Sequence, residues 1–430
     1  MKHSGKILMT ALFAIVTAGL VFANGTQDSK SGAGSGKIVV KAMGYGDNSN
    51  TEGQSWKRIV AAFEKANPNI DIQDELLFDE AYHQKVTARL AAGDIPDLAF
   101  MGADARWGKP WAEAKQQFDM RPVIDPKIYD LSLIPAMGPN GEIYEVPYGT
   151  SNVCTVMFMN EKLVKSLGFS APKTYEDLVK MVPAAKAKGI EVLGTHGADG
   201  WVWGSCVMST IIARTSGKAN WPELAKAGKV KFTDPEYVSA LTVLQTMVKD
   251  GVLSSKSVLI DSGTSLSNYN NGKVLFMISG QWDGQGVNPE LINDTKLLPY
   301  IVLPGEKGQA GSVAAAIQTG YGITKSGAKD PKVLAAAVKF INFFNAEAEV
   351  TQRLRDGLIS APILKDYKVP ADMPALIKEK VKLSKAPTTQ VIDAFIDGDM
   401  NEVLKAGCQK VVTGTSTPAQ AAAETEATRK

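Results

Sequence analysis

At 430 residues, with 44% apolar and 21% charged side chains, the chain is too long for one small core and has the composition of a folded, soluble protein. At roughly 100–200 residues per domain it has room for two lobes, and its proportions exclude a disordered chain or a polytopic membrane protein. The formal charge is +2, and Lys and Arg are interspersed with Asp and Glu, which excludes a basic patch of the kind that binds nucleic acid.

Lys2 and Lys6 precede an apolar run from Ile7 to Phe22 that closes on Val21-Phe22-Ala23. This pattern predicts an export signal over residues 1–23, cut after Ala23, because a membrane-spanning helix would need about 20 apolar residues. Removing it takes away two lysines and leaves a mature chain of about zero net charge. No Cys lies near the cut, so the thiol that is acylated in lipoproteins is missing. Residues 24–36 are small and polar, with a Ser-Gly-Ala-Gly-Ser-Gly stretch, and read as a flexible leader.

The fold is expected to start at Lys37. Ile38 to Met43 reads as a short buried strand that stops at Gly44-Tyr45-Gly46-Asp47-Asn48, a run of turn residues. Trp56, Ile59, Val60 and Phe63 keep helical spacing up to Asn67-Pro68, and Ile70-Asp71-Ile72 begins a second strand. A helix through Tyr82, Val86 and Leu90 is closed by Gly93. Asp94-Ile95-Pro96-Asp97 then leads into the strand Leu98–Met101. Such alternation predicts a largely parallel sheet flanked by helices, with ligands gathering beyond the carboxyl ends of the strands. The loops after Met43 and Met101 are thus expected to face one crevice. Further on, Thr174 and Asp177 form a capping box that opens a helix after Pro172.

Three cysteines, Cys154, Cys206 and Cys408, allow at most one bridge, and the plain reading is buried sulfur. There is no Cys-x-x-Cys or His-x-x-His spacing, so no metal site is expected. His83, on a helix among polar neighbours, and His196, in a Gly-rich loop, read as ordinary surface histidines. No nucleophile elbow, phosphate loop or zinc motif is present, and no cofactor is expected.

Several separated blocks together carry a family likeness: FEKANPNIDI, YHQKVTARLAAGDIPDLAF, the stretch 141–178 beginning GEIYEVPYGTSNVC, NYNNGKVLFMISGQWDG at 268–284, LPYIVLPGEKGQAG at 298–311 and residues 335–363. In their order and spacing they resemble the extracellular solute-binding proteins of bacterial ABC importers, in the sugar-binding branch related to maltose-binding protein. The likeness runs from about Lys37 to the carboxyl end. It implies a two-lobed, type II-like α/β fold, each lobe a mostly parallel sheet flanked by helices, with about three chain crossings. The crossings fall near Gly149-Thr150-Ser151, Ile317-Gln318-Thr319 and Lys365-Asp366-Tyr367. The expected lobes are therefore 37–149 with 318–366, and 150–317 with 367–430. It also implies a monomer in the periplasm that takes a mono- or oligosaccharide in the cleft. Hinge closure would then present it to the permease subunits of the importer.

A neutral sugar offers hydroxyls and an apolar C–H face, so its site needs aromatic plates and side chains that exchange hydrogen bonds. The candidate loops supply Tyr45, Asp47 and Asn48 after the first strand, Asp104 and Trp107 after the third, and Tyr148 beside the first crossing. From the second lobe come Trp201 and Trp203 in a Gly-rich loop, and Trp282 and Asp283 after an apolar strand, to which the resemblance points; Tyr321 follows the second crossing. Plainer roles stand beside these. Asp47 and Asp104 suit turn or helix caps, Asn48 a turn, and Tyr45 and Tyr148 hinge packing. Trp107 and Trp111, four apart, suit a helix face packed on the lobe, and of the alternate residues Trp201 and Trp203 one can bind while the other is core. Glycines on both sides, Gly280 and Gly284, favour an accessible Trp282.

Two other readings remain open at the level of residues. One is a binding protein for a polyamine or amino acid, which the acids of these loops would suit. The other is a secreted carbohydrate-active enzyme using two of Asp47, Asp104 and Asp283 as acid and nucleophile. No catalysis is expected.

Overall fold

In the computed structural model, β1 (Ile38–Tyr45), β2 (Ile70–Leu77) and β3 (Leu98–Met101) follow one another through α1 (Thr51–Ala66) and α2 (Asp79–Ala92). The structure describes residues 36–102, 106–308, 310–316, 318–396 and 398–429; the expected export signal, nearly all of the leader, Asp104 and Ile317 lie outside them. The local causes are those of the sequence. Asn50 caps α1 by accepting the Gly53 N–H at 2.8 Å, and Trp56, Ile59 and Phe63 turn one buried stripe inward. Gly93, at φ +73°, ends α2 in the left-handed conformation that a residue without Cβ adopts freely. β1 pairs parallel with β2 and β3, so the loops after β1 and β3 leave the same end of the sheet.

The remaining strands are β4 (Val146–Pro147), β5 (Asn152–Val153), β6 (Val156–Asn160), β7 (Glu191–Gly194), β8 (Val274–Ser279), β9 (Thr295–Leu298), β10 (Val313–Ala316), β11 (Gly320–Ile323) and β12 (Thr388–Thr389). They complete three sheets, in the orders β2-β1-β3-β11-β4, β7-β8-β6-β9 and, between these two in chain connectivity, the short β12-β10-β5. The two large sheets form the cores of two lobes, and both are mixed rather than mostly parallel. In the first, β11 runs antiparallel to both β3 and β4. In the second, only β7 and β8 are parallel, and β6 opposes both β8 and β9. The departure has a simple cause. β6 begins three residues after β5, so its direction is set by the crossing from the other lobe and not by a β-α-β return.

The linking strands are continuous with the crossings. Residues 148–151 join β4 to β5, and the pairings of β10 with β5 and of β11 with β4 set this segment beside residues 318–319, which lead into β11. Tyr148 N–H donates to Thr319 O at 3.2 Å, Thr150 N–H to Ala361 O at 2.8 Å, and Gln318 Nε2 to Leu358 O at 2.9 Å. At Lys365-Asp366-Tyr367, by contrast, the chain stays on the first lobe. Lys365 N–H donates to Ile128 O, the Tyr367 hydroxyl bonds Thr351, and Met373 packs in the first core. The third passage lies along the helix Ala375–Leu383, whose Ile377 enters the first core while Leu376 and Leu383 pack under the second sheet.

The first core gathers Trp56, Phe63, Tyr82, Trp111, Tyr148, Tyr321, Phe340 and Phe344; the second holds Trp203, Trp221, Phe232, Tyr237 and Phe276. Full burial of a side chain of this kind stabilises by about 1.5–3 kcal/mol. All three cysteines are buried, and burial raises the Cys206 and Cys408 thiols above their ordinary range, which leaves them unreactive. The capping box at Thr174 and Asp177 forms as the sequence predicts. No described helix is long and apolar enough to cross a membrane.

Candidate functional site

On the first lobe, β1 ends by laying Tyr45 flat on Phe100, with ring centroids 4.6 Å apart and planes 9° apart. Trp107, half-buried, meets Tyr45 edge-on at 5.3 Å, leans on Tyr82 and lies 4.3 Å from the His83 ring. Burial, with Asp79 and Glu52 nearby, pushes the Tyr45 phenol well above its ordinary range, so it stays a neutral hydroxyl. Trp111, four residues beyond Trp107, is buried in the core.

Tyr148 and Tyr321 stand one layer deeper. They are 6% and 1% exposed. Tyr148 donates to the Tyr321 hydroxyl at 3.4 Å, and that same oxygen accepts the backbone N–H of Tyr45 at 3.0 Å. Both therefore support the Tyr45 plate from beneath, and neither presents a face to the crevice. Asp47 serves its own turn, since Oδ1 accepts the Ser49 N–H and hydroxyl and the Asn50 N–H. These bonds, the Ser49 hydroxyl foremost, hold its carboxyl below the usual carboxylate range. Asn48 is exposed and accepts from Lys57.

On the second lobe, Trp201 comes from the loop after β7 and Trp282 from the turn after β8; both are half-buried, 5.7 Å apart between ring centroids. A Cβ at Gly280 would lie 2.1 Å from the Trp282 indole, so only glycine lets that ring fold over the end of the strand. Residues 201–208 are helical and not the extended loop expected, and Trp203 lies on the inner side of that turn. It is fully buried and donates its indole N–H to Gly197 O at 2.9 Å. His196 is not at the surface as its Gly-rich surroundings suggested: it is 0% exposed, with Nδ1 2.9 Å from Asp199 Oδ2 and Nε2 3.1 Å from Ser279 Oγ. His83 also departs from expectation, since it leans on Trp107 and burial drives its pKa down to about 4, which keeps it neutral.

Asp283 follows Trp282 directly. Its Oδ2 is shut off from solvent and has no hydrogen-bond partner among the described residues. Burial raises this carboxyl, while the Ser279 hydroxyl, His196 and Lys380 pull it down. A second acid, Asp393, arrives on the turn after β12. Ser205 donates to its Oδ2 at 2.8 Å, whereas its buried Oδ1 has no partner among the described residues. Burial raises this carboxyl too, with Lys405, the Ser205 hydroxyl and Arg106 opposing. A Cβ at Gly204 would lie 2.3 Å from Asp393 Oδ1, which makes Gly204 a condition of the acid's position. Ala394, beside Asp393, packs in the cluster that Trp282 leans on. The sequence around Asp393, Gln-Val-Ile-Asp-Ala, has no feature that marks it.

The second lobe thus holds two half-buried indoles and two carboxyls, each with one oxygen shut off from solvent and without a hydrogen-bond partner among the described residues. The first lobe presents Tyr45 and Trp107. Gln285 Nε2 reaches Glu52 Oε1 on α1 at 3.3 Å and ties the lobes together close to Asp283. Among the described residues no group of three or more His, Cys, Asp or Glu could hold a metal ion.

Two α/β lobes joined by short strands are the build of a receptor that takes a small solute. The chain belongs to the bacterial extracellular solute-binding proteins, whose family model matches residues 47–351. A multiple sugar-binding protein of Streptococcus mutans is 22% identical over 361 residues, covering 83% of this chain and 82% of its own length. Among solved structures, a chitin oligosaccharide binding protein superposes with a TM-score of 0.76 at 22% identity, over 90% of this chain and 97% of its own. A maltose-bound protein of T. maritima does so with a TM-score of 0.72 at 18% identity, over 90% and 98%.

Proposed function

We propose that this protein captures a mono- or oligosaccharide between its lobes and hands it, by hinge closure, to the permease subunits of an ATP-driven importer. The observation that carries this reading is the indole pair Trp201 and Trp282, with Asp283 next to Trp282 in the chain and Asp393 in the same lobe, each acid with one buried oxygen lacking a partner among the described residues. Indole faces take the C–H face of a sugar ring, and unpartnered acceptors take its hydroxyls, while a ligand lacking donors would leave them unpaired. Tyr45 and Trp107 close on the ring from the first lobe. The names of the relatives, which bind sugars, support the same solute class. The protein is a carrier and not an enzyme, and it works in the periplasm as a monomer after its signal is cut following Ala23.

The two acids also suit a cationic solute such as a polyamine, and this is the second reading. A thermal-shift panel separates the two. At about 100 times its dissociation constant a ligand adds about 2.7 kcal/mol to stability. Stabilisation is expected from at least one of maltose, raffinose, stachyose or chitin oligosaccharides. A shift with spermidine or putrescine and with no sugar would transfer the site to the cationic class.

A further inference from the structure

The turn Gln281–Gly286 carries Trp282 and Asp283 and has a glutamine near either end. Gln281 is 2% exposed, and its amide is engaged on both sides. Nε2 donates to Ser151 O at 3.2 Å and to Asn152 Oδ1 at 3.3 Å, at the first crossing, while Oε1 accepts the hydroxyl of the fully buried Ser360. Gln285, half-buried, reaches out from the other end. Its Nε2 donates to Glu52 Oε1 at 3.3 Å, and a Cβ at Gly357 would lie 3.4 Å from its Cγ.

Gly357 and Ser360 belong to one short stretch of the first lobe, anchored in its core by Leu358 and Ile359. All three passages between the lobes bond to that stretch. Thr150 N–H, from the first crossing, donates to Ala361 O, the Gln318 amide of the second to Leu358 O, and the Lys380 ammonium of the helix Ala375–Leu383 to Gly357 O. Residues 357–361 thus receive the connecting segments and both glutamines of the turn. The two kinds of contact differ in what they resist. The passages are tied to both lobes by the chain itself, whereas Ser360 and Glu52 are reached from the turn by side chains alone, so opening the lobes would break these bonds first. A buried amide and hydroxyl that part leave two polar groups to be satisfied anew, and a bond to a carboxylate is among the stronger of its kind.

Resting on the solute site read at Trp282 and Asp283, we propose that Gln281 and Gln285 are positioning residues that latch this turn to Ser360 and Glu52 of the first lobe, so that closing the lobes and placing the indole and the carboxyl are one movement. A solute pressed on Trp282 loads the same turn whose ends hold the lobes together, and neither glutamine has to touch it. Because both bonds form within one molecule, they tip the balance between closed and open arrangements before any solute arrives. With a solute in place they slow its escape.

The test uses the full chain with spin labels on two exposed helix positions, Lys332→Cys on the first lobe and Lys249→Cys on the second, the three native thiols being buried. Without sugar, electron–electron distance measurements are expected to find a population at the separation these positions have in this structure. Gln281→Met and Gln285→Ala, made one at a time, are each expected to lower the ratio of that population to the longer distances about tenfold, the effect of losing a hydrogen bond to a buried or charged partner. Distributions in both variants that superpose on the wild type overturn the latch, whatever happens to the melting temperature. Gln285 is half-buried, so Gln285→Ala decides the question alone should Gln281→Met fail to fold. In a second arm, the sugar of the panel that stabilises most is expected to leave the Gln285→Ala protein about tenfold faster, with its association rate unchanged. Slower association with wild-type release would place Gln285 among the solute contacts and overturn its role as a hook. If no sugar of the panel binds, the carbohydrate reading fails by itself, and the distances measured without sugar still decide the latch.

Discussion

Trp201 and Trp282 meet at a ring-centroid distance of 5.7 Å and an interplanar angle of 52°, although 81 residues separate them in the chain. Both are partly buried against the second core. Trp282 folds over Gly280, and Trp201 leans on the buried His196 ring.

Trp282→Ala is expected to cost about 1–3 kcal/mol of ligand binding, the range found when an aromatic stacking platform is removed. Titration calorimetry with whichever sugar stabilises the protein measures it. Trp201→Ala is expected to weaken binding less, because that ring supports Trp282 as much as it faces the crevice. Full affinity in the Trp282→Ala protein would assign the indole to packing alone.

Tyr321 gives the opposite expectation. Its hydroxyl sits in the core, where it accepts from Tyr45 N–H and from Tyr148. Tyr321→Phe leaves that N–H and the Tyr148 hydroxyl without their acceptor, so stability should fall by about 1–3 kcal/mol. Denaturant unfolding reads this loss. Sugar affinity should hold if Tyr321 acts only from beneath, and a large loss of affinity at unchanged stability would put its hydroxyl in the site.

The sequence showed clearly what local chemistry decides. Asn50, Gly93, Thr174 and Asp177 act on neighbours within a few residues, and each does what its position in the chain implies. The partial exposure of Trp282 was legible for the same reason, since the glycine that makes room for it is two residues away. Long-range partners were hidden. Nothing near Tyr321 says that its hydroxyl meets Tyr45 across 276 positions, and nothing near Asp393 points to Ser205, 188 residues earlier. His196 looked exposed because glycines surround it, yet Ser279 on β8 and Asp199 together satisfy its ring and let it be buried. The direction of β6 was likewise out of reach, because it depends on a crossing and not on periodicity.

The capping box at Asp177 makes a prediction in acid. The N–H groups of Lys173 and Thr174, followed by Lys180, hold this carboxyl down to about 2. Its folded value lies below the unfolded one of about 3.9, so its contribution is complete above the latter and is lost as pH falls through the former. Asp177→Asn should therefore lower the melting temperature at neutral pH and reduce the slope of stability against pH between those values. The side chain is well solvated, which keeps the effect modest. An identical acid limb in mutant and wild type would remove Asp177 from the acid response.

Lys380 carries the reverse sign. It is 1% exposed on the helix that passes between the lobes, its ammonium donates to Gly357 O, and burial drives its pKa down to about 7 against the pull of Glu52 and Asp283. With the unfolded value near about 10.4, the unfolded chain binds more protons between these two pH values, so stability rises with pH across that window. Below it the folded protein bears the whole cost of a buried ammonium. Lys380→Met fills nearly the same volume without the charge and should stabilise the protein at pH 6 by an amount on the order of 1–4 kcal/mol, as replacement of buried ionic groups does elsewhere. The advantage should shrink as pH is raised toward the unfolded value, where wild-type Lys380 is neutral in both states, and the lost donor to Gly357 O then leaves the mutant the less stable of the two. Melting curves of both proteins across that range decide the matter. A mutant that is less stable at every pH, with the wild-type slope intact, would mean that Glu52 and Asp283 compensate the ammonium in full.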